Sequence, residues 1–264
     1  MIVSANGRPV RSNEDLTAAI QAAGGAPLTV VYRRSGARHT ATLTPTADEN
    51  GHYKAGVWVR DSGAGIGTMS FVDPHRGTFA GLGHSISDAD TGADLTLLSG
   101  EIVPVTITGC IRGAAGSPGE LRGEFAAAPA GTVLANDAAG VYGSYTGSCT
   151  APALPVANLQ EVTPGEAELW TTVLGTTAQP YTIQVERVTM TGSDPNRNLL
   201  IRVTDKRLLD ATGGVVQGMS GSPIVQNGRL AAVLTHVLVN DPSRGYAIFA
   251  TTMLEKADAV ASSK

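Results

Sequence analysis

Short apolar runs fill most of the chain after residue 55, and Gly, Pro, Asp or Asn interrupts them every 8 to 12 residues. Residues 181–188 alternate between apolar and polar side chains, as a strand with one buried face does. Many short strands at this spacing predict a sandwich or a barrel. We therefore predict a mainly β domain over residues 56–264, with a short helix at residues 253–260.

Residues 1–45 follow a different pattern, in which a strand, a turn, a helix and a hairpin succeed one another. Asn6-Gly7 is a turn signal, Ser12 is placed to cap a helix, and Gly24-Gly25 is placed to end it. Two strands are predicted after the helix, at residues 28–33 and 39–44. The polar residues 46–55 predict a linker to the β domain.

The order of elements in residues 1–45 resembles the C-terminal half of a PDZ domain. The resembling segments are residues 2–10, 12–20 and 30–33. Because these residues amount to only about half of such a domain, we expect the natural protein to begin further upstream.

Charge and hydropathy narrow the classes of function. The net charge is −4 and the pI is about 5.7, which argues against a nucleic-acid partner, since such partners usually need a basic patch. The sequence lacks an apolar run of about 18 residues and so predicts no transmembrane helix. Its first residues lack the basic start and apolar run of a signal peptide.

Neither the cysteines nor the acidic residues predict a metal site, and we expect no cofactor. Cys110 and Cys149 are interpreted as two separate small core residues, with a single disulfide as the alternative. Asp88, Asp90 and Asp94 lack the glycine placement and terminal glutamate of an EF-hand loop. We interpret these three aspartates as a polar turn.

The most informative stretch is residues 218–223, which read Gly-Met-Ser-Gly-Ser-Pro. Acyl transfer needs an exposed hydroxyl on a tight turn, with backbone N–H groups aimed at the developing oxyanion. The stretch resembles the Gly-x-Ser-Gly-x-Pro pattern of chymotrypsin-like peptidases, in which the middle serine attacks. By this match Ser220 is the nucleophile and Ser222 is a small structural residue. The alternative is a Gly/Ser-rich hairpin without chemistry.

A serine nucleophile needs a base, and five histidines are candidates. His39 and His52 are predicted to be solvated surface residues, and His75 lies in a predicted turn. His236 lies inside an apolar strand and is predicted to be a satisfied core histidine. His84 follows an apolar strand at a glycine-flanked bend, and we therefore favour it as the base.

Two long segments, residues 80–92 and 214–224, resemble the SpoIVB sporulation peptidase family. Thr235-His236-Val237 and Gly245-Tyr246 extend the match beyond the serine. Members of that family carry a PDZ domain ahead of the peptidase domain, in agreement with residues 1–45. The resemblance implies a chymotrypsin-like β-barrel peptidase domain.

The resemblance also implies a catalytic triad in the chain order His, Asp, Ser, which falls on His84, Asp205 and Ser220. Backbone N–H groups of Gly218 and Ser220 would form the oxyanion hole, by similarity to chymotrypsin-like enzymes. Asp205 would hold the tautomer of His84 and stabilise its imidazolium form. The alternative for Asp205 is the N-cap of a short helical turn at residues 206–210.

The function implied by the resemblance is a serine endopeptidase outside the cytoplasmic membrane, in a sporulation signalling cascade. Its expected partners are protein or peptide substrates, including membrane-anchored regulatory proteins and its own N-terminal region. We expect the enzyme to be secreted or anchored through an N-terminal segment that precedes this sequence, and to contact the membrane only there.

Two other functions compete with a turning-over peptidase. One is a PDZ-type binding scaffold with an inactive peptidase-like domain. The other is a structural envelope protein that cleaves only itself, once. Reaction of Ser220 with a covalent probe and turnover of an added peptide distinguish the three.

Overall fold

The computed structural model describes residues 1–34, 36–59, 63–88, 91–191 and 194–262. The chain divides into two compact units, Met1–Ala64 and Gly65–Lys264. The elements of the first unit are β1 (Ile2–Ala5), β2 (Arg8–Pro9), α1 (Asn13–Ala23), β3 (Leu28–Arg34), β4 (Ala37–Leu43), β5 (Thr46–Ala47) and β6 (Tyr53–Lys54).

In the first unit, α1 packs on a four-stranded sheet of order β2-β1-β3-β4. Ser12 caps the helix by accepting a hydrogen bond from the N–H of Asp15, and Gly24 ends it in the left-handed conformation. Leu16 and Ile20 lie one turn apart and bury the same face of the helix. Local signals thus place the helix as predicted, whereas the PDZ-like identity of residues 1–45 stays a prediction.

The segment predicted as a linker, residues 46–55, folds back onto this unit. Strands β5 and β6 form a small hairpin. The side-chain amide of Gln21 donates to the carbonyl of Tyr53 (2.7 Å) and accepts from its N–H (3.1 Å). Tyr53 and Val59 also pack on the apolar core, and the first unit extends to Ala64.

The second unit contains a closed barrel, an open sheet and a hairpin. The barrel has the strand order β14-β15-β16-β19-β18-β17, the open sheet has the order β7-β8-β13-β12-β9, and β10 pairs with β11. The elements are β7 (Met69–Asp73), β8 (Thr78–Gly81), β9 (Glu101–Ile102), β10 (Val105–Ile111), β11 (Glu120–Phe125), β12 (Gly131–Asp137), β13 (Gly140–Tyr145), β14 (Gly165–Thr171), β15 (Gln179–Val188), β16 (Leu199–Val203), α2 (Lys206–Thr212), β17 (Pro223–Gln226), β18 (Arg229–Val237), β19 (Arg244–Phe249) and α3 (Ala250–Ser262).

Side chains alternate between buried and exposed along the barrel strands, and the buried ones form the core. Tyr181, Ile183 and Val185 of β15 are buried, while Thr182 and Gln184 between them are exposed. The interior is therefore lined by inward-facing apolar side chains of successive strands, as expected for a small barrel. The predicted fold class, mainly β with a chymotrypsin-like β-barrel peptidase domain, is confirmed in its mainly β composition and its closed barrel.

The C-terminal helix is longer than predicted and covers the junction between the open sheet and the barrel. Met253 and Ala257 are buried against Tyr142 of β13 and Ile248 of β19. Burial raises the pKa of the Tyr142 hydroxyl. None of the helices in the described residues is long and apolar enough to cross a membrane.

Both cysteines are free thiols. Cys110 is half-buried, and burial raises the pKa of its thiol. Cys149 is exposed, so the prediction of two core residues is wrong for this position.

Leu169 and Leu174 offer a matched test of the barrel core, since the first has 0% and the second 69% of its surface exposed. We expect Leu169→Ala to lower the free energy of unfolding by about 2–5 kcal/mol, because it removes buried methyl groups and leaves a cavity. Leu174→Ala should change it by less than about 0.5 kcal/mol. Urea unfolding followed by circular dichroism measures both, and equal effects would contradict the assignment of the core.

Candidate active site

Ser220 lies on a turn between α2 and β17, where hydrogen bonds hold the chain on both sides of it. The N–H of Gly221 donates to the carbonyl of Leu234 on β18 (2.8 Å), and the N–H of Thr68 donates to the carbonyl of Ser220 (2.8 Å). Gly221 has φ +97°, and a Cβ there would lie 1.9 Å from the carbonyl oxygen of Thr68. Glycine is therefore required beside the serine because two backbone segments meet there.

The backbone N–H groups of Gly218 and Ser220 are predicted to form the oxyanion hole. Across the described ranges, the N–H groups of Gly218 and Ser220 have no acceptor. Unpaired backbone N–H groups beside a half-buried serine can donate to a substrate oxygen, and a developing oxyanion is such an acceptor. The geometry thus leaves both groups free for the role that the sequence predicts for them.

The hydroxyl of Ser220 donates to the carbonyl oxygen of Thr235 on β18 (2.8 Å). The predicted nucleophile is therefore hydrogen-bonded to the backbone of this strand. The same strand continues with His236.

The predicted base, His84, follows β8 through a tight bend. Leu82 and Gly83 both have positive φ, 67° and 70°, an arrangement that is strained for a leucine. A Cβ on Gly83 would lie 2.8 Å from the Thr235 side chain, so only glycine lets this bend approach β18 so closely. His84 is half-buried at the end of the bend.

The ring of His84 is held by its own neighbour. Its Nδ1 lies 2.7 Å from the carbonyl oxygen of Ser85, which can only accept. In the neutral ring this contact places the hydrogen on Nδ1 and the lone pair on Nε2. This is the tautomer that a general base for serine requires.

The sequence interpretation did not predict that His236 lies beside His84. Its ring centroid lies 5.0 Å from that of His84, with the ring planes at 34°. Its Nδ1 is buried and has no hydrogen-bond partner among the described residues, so the prediction of a satisfied core histidine is wrong. Burial, followed by the nearby charge of His84, lowers the pKa of His236. The signal available in the sequence was Thr235-His236-Val237, which belongs to the segments that resemble the SpoIVB family.

Asp205 lies elsewhere, as the N-cap of α2. Its carboxylate accepts from the N–H groups of Arg207 (2.8 Å) and Thr182 (3.2 Å) and forms an ion pair with the Arg207 guanidinium (2.7 Å). These contacts, led by the hydrogen bond from the Arg207 side chain, lower the pKa of Asp205 to about 2.

The strand register separates Asp205 from the two histidines. His236 is level with Tyr246 on β19, which is in turn level with Leu200 on β16. Asp205 lies five residues further along the chain, or roughly 16 Å in extended backbone. The structure therefore brings His84, Ser220 and His236 to one place and does not bring Asp205 there.

The remaining candidates agree with their predicted surroundings where the structure describes them. His39, His52 and His75 are exposed. Asp88 accepts from the N–H and hydroxyl of Thr91, and Asp94 accepts from the hydroxyls of Ser85 and Ser87, as in a polar turn, while Asp90 lies outside the described residues. Across the described ranges, no three His, Cys, Asp or Glu side chains are grouped closely enough to hold a metal ion.

The family assignment comes from the sequence. The model of the SpoIVB peptidase S55 family matches residues 51–254. The chain belongs to this family. It is accordingly a serine peptidase, a hydrolase of peptide bonds. No curated protein matches the chain.

Solved structures similar to this SpoIVB-family peptidase include several of the Rv3671c protease. The active form of Rv3671c from M. tuberculosis is 16% identical, with 60% of this chain and 79% of that chain covered at a TM-score of 0.37. The inactive form of its Ser343Ala mutant, from M. tuberculosis H37Rv, is 17% identical, with 61% and 80% covered at a TM-score of 0.37.

A cavity of about 260 Å³ adjoins the serine turn of this peptidase. Ile66 and Leu121 give it apolar walls, and Gln217 and Gly218 connect it to Ser220.

Asp205 can be tested as a helix cap and as a triad member by two substitutions. Asp205→Ala should lower the free energy of unfolding near pH 7 by about 1 kcal/mol, whereas Asp205→Ser keeps a cap and should recover most of the loss. The pKa of Asp205 is lower in the folded than in the unfolded chain. The stabilisation from its carboxylate should therefore be present above about pH 4 and fade towards about pH 2. Urea unfolding across this range measures the difference from wild type.

The same two variants report on catalysis. If Asp205 acts only as a cap, Asp205→Ser should keep the wild-type kcat for a peptide substrate. A loss of kcat in a variant of unchanged stability would instead support a role for Asp205 in the catalytic triad.

Proposed function

We propose that this serine peptidase is an endopeptidase in which Ser220 is the nucleophile and His84 the general base. The observation that carries the proposal is that the serine turn and the His84 bend both contact Thr235 of β18. The hydroxyl of Ser220 donates to the carbonyl of Thr235, and Gly83 closely approaches its side chain. The family assignment to a serine peptidase supports it independently.

In the proposed reaction, Ser220 first leaves the carbonyl of Thr235 by rotation about its Cα–Cβ bond and donates to Nε2 of His84. His84 takes the hydroxyl proton as Oγ attacks the substrate carbonyl, and the new oxyanion accepts hydrogen bonds from the N–H groups of Gly218 and Ser220. His84 then gives that proton to the departing amine, which leaves an acyl-enzyme. Water, activated by the same histidine, releases the acid.

We further propose that the substrates are protein segments outside the cytoplasmic membrane, among them membrane-anchored regulatory proteins and the enzyme's own N-terminal region. A place in a sporulation signalling cascade is part of this proposal. Both statements rest on the resemblance to SpoIVB peptidases. Residues 1–45 are proposed to act as part of a PDZ-like unit beside the peptidase domain.

Labelling with a fluorophosphonate probe tests the nucleophile. We expect wild type and Ser222→Ala to be labelled and Ser220→Ala to remain unlabelled. Ser222 is the matched control because it lies two residues away, is fully buried, and its hydroxyl has no partner among the described residues. His84→Ala should slow labelling by about 100-fold or more, since the base is lost.

Absence of labelling in a folded wild-type chain would contradict the proposal and favour the binding scaffold. Labelling of Ser220 without turnover of any added peptide would favour a protein that cleaves only itself.

A further inference from the structure

Thr68, the residue before β7, lies between the serine turn and the bend that leads to His84. Its N–H donates to the carbonyl of Ser220 (2.8 Å), and its own carbonyl accepts from the N–H of Leu82 (3.2 Å). Its hydroxyl donates to the carbonyl of Gly218 (3.1 Å). One half-buried residue is therefore hydrogen-bonded to both segments that carry the proposed machinery.

Glycines surround Thr68 because several backbone segments meet there. A Cβ on Gly221 would collide with the carbonyl oxygen of Thr68, and a Cβ on Gly81 would lie 3.1 Å from the same oxygen. A Cβ on Gly67 would collide with the side chain of Leu82. Such close approach leaves these segments little room to shift, so the position of the Thr68 backbone is set by packing.

The two predicted oxyanion donors are oriented through the carbonyls of their own peptide groups. A trans peptide group is planar, so its N–H and C=O point in opposite directions and fixing one of them fixes the other. The N–H of Gly218 shares its peptide group with the carbonyl of Gln217, which accepts from the N–H of Leu121 (2.8 Å). The N–H of Ser220 shares its peptide group with the carbonyl of Met219, which accepts from the backbone N–H two residues beyond the serine (2.9 Å).

The peptide group between these two is held by a side chain. Its carbonyl belongs to Gly218 and accepts from the hydroxyl of Thr68. Gly218 has φ +97° and lacks a Cβ, so sterics restrict rotation about its backbone bonds only weakly. Without the hydroxyl, this peptide group can turn and move the two flanking N–H groups out of line, whereas an oxyanion is stabilised best when both point at it.

We propose that Thr68 is a positioning residue of the oxyanion hole: its hydroxyl holds the carbonyl of Gly218 so that the N–H groups of Gly218 and Ser220 point at one substrate oxygen. The inference rests on the proposed peptidase function, in which Ser220 attacks and these N–H groups stabilise the oxyanion. Thr68 acts through Gly218 and takes no part in proton transfer. Its backbone hydrogen bonds remain in any variant other than proline, so the hydroxyl can be tested by itself.

The test compares Thr68→Val, Thr68→Ala and Thr68→Ser with the control Thr146→Val. Valine and alanine remove the hydroxyl at position 68, whereas serine keeps it. Thr146 is a matched control because its hydroxyl also donates to a backbone carbonyl, that of Ala130, at a similar distance (3.2 Å). It is exposed at the end of β13, outside the contacts that hold the serine turn.

The measurement is the rate of fluorophosphonate labelling at Ser220 as a function of pH. We expect Thr68→Val and Thr68→Ala to lower this rate about 10- to 100-fold, less than the roughly 10²- to 10³-fold loss on removal of a whole oxyanion donor, since both donors remain but are misaligned. Thr68→Ser should recover most of the rate, and Thr146→Val should match wild type. The pH dependence should be the same in all variants, because the Thr68 hydroxyl does not titrate.

Three results would overturn the inference, with the thermal midpoint reporting whether each variant is folded. The first is a wild-type labelling rate in a folded variant that lacks the hydroxyl at position 68. The second is a loss that Thr68→Ser does not recover, or that follows only the loss of folded protein. The third is a shifted pH profile, which would assign the effect to His84 and not to the oxyanion hole.

The design separates this inference from the proposed function. If wild type is labelled at Ser220 and the folded variants at Thr68 are labelled equally fast, only the role of Thr68 is wrong. A folded wild type that is not labelled would contradict both.

Discussion

The geometry of the candidate site depends on β18, because both the serine turn and the bend before His84 contact this strand. The serine turn is held at Gly221 by Leu234, and the hydroxyl of Ser220 is held by Thr235. The bend before His84 approaches the same strand so closely that a side chain on Gly83 would collide with Thr235. The proposed nucleophile and the proposed base are 136 residues apart in the sequence, and one barrel strand contacts both of their bends.

The barrel explains why this strand can serve as a fixed support. β18 lies between β17 and β19, and its residues 230–234 are buried. Such a strand cannot shift its register without exposing an apolar face, so the residues at its end keep their positions. The candidate site lies at the end of the buried part of this strand, next to the half-buried residues His236 and Val237.

The carboxylates of Asp205 and Asp94 are engaged by hydrogen-bond donors other than the two histidines. Asp205 stabilises the start of α2 through Arg207, and Asp94 orders the polar turn after His84. Each of these carboxylates has a pKa below its ordinary value because hydrogen-bond donors surround it. In the described part of the chain, the two histidines lie near the Ser220 hydroxyl, the unpaired N–H groups of Gly218 and Ser220, and a small cavity.

Local chemistry in the sequence determined a large part of this protein. Ser12 and Gly24 bound α1, alternation over residues 181–188 makes a barrel strand, and the glycines around Ser220 and His84 mark the two bends. Each of these depends on neighbours within a few residues, where propensity and sterics act directly. Only the tertiary structure decided which polar side chains meet. Asp205 caps α2 because its carboxylate accepts hydrogen bonds from nearby backbone N–H groups. His236 lies beside His84 because of the register of the barrel strands. The sequence did not reveal this contact, because long-range pairing has no signature in the local sequence.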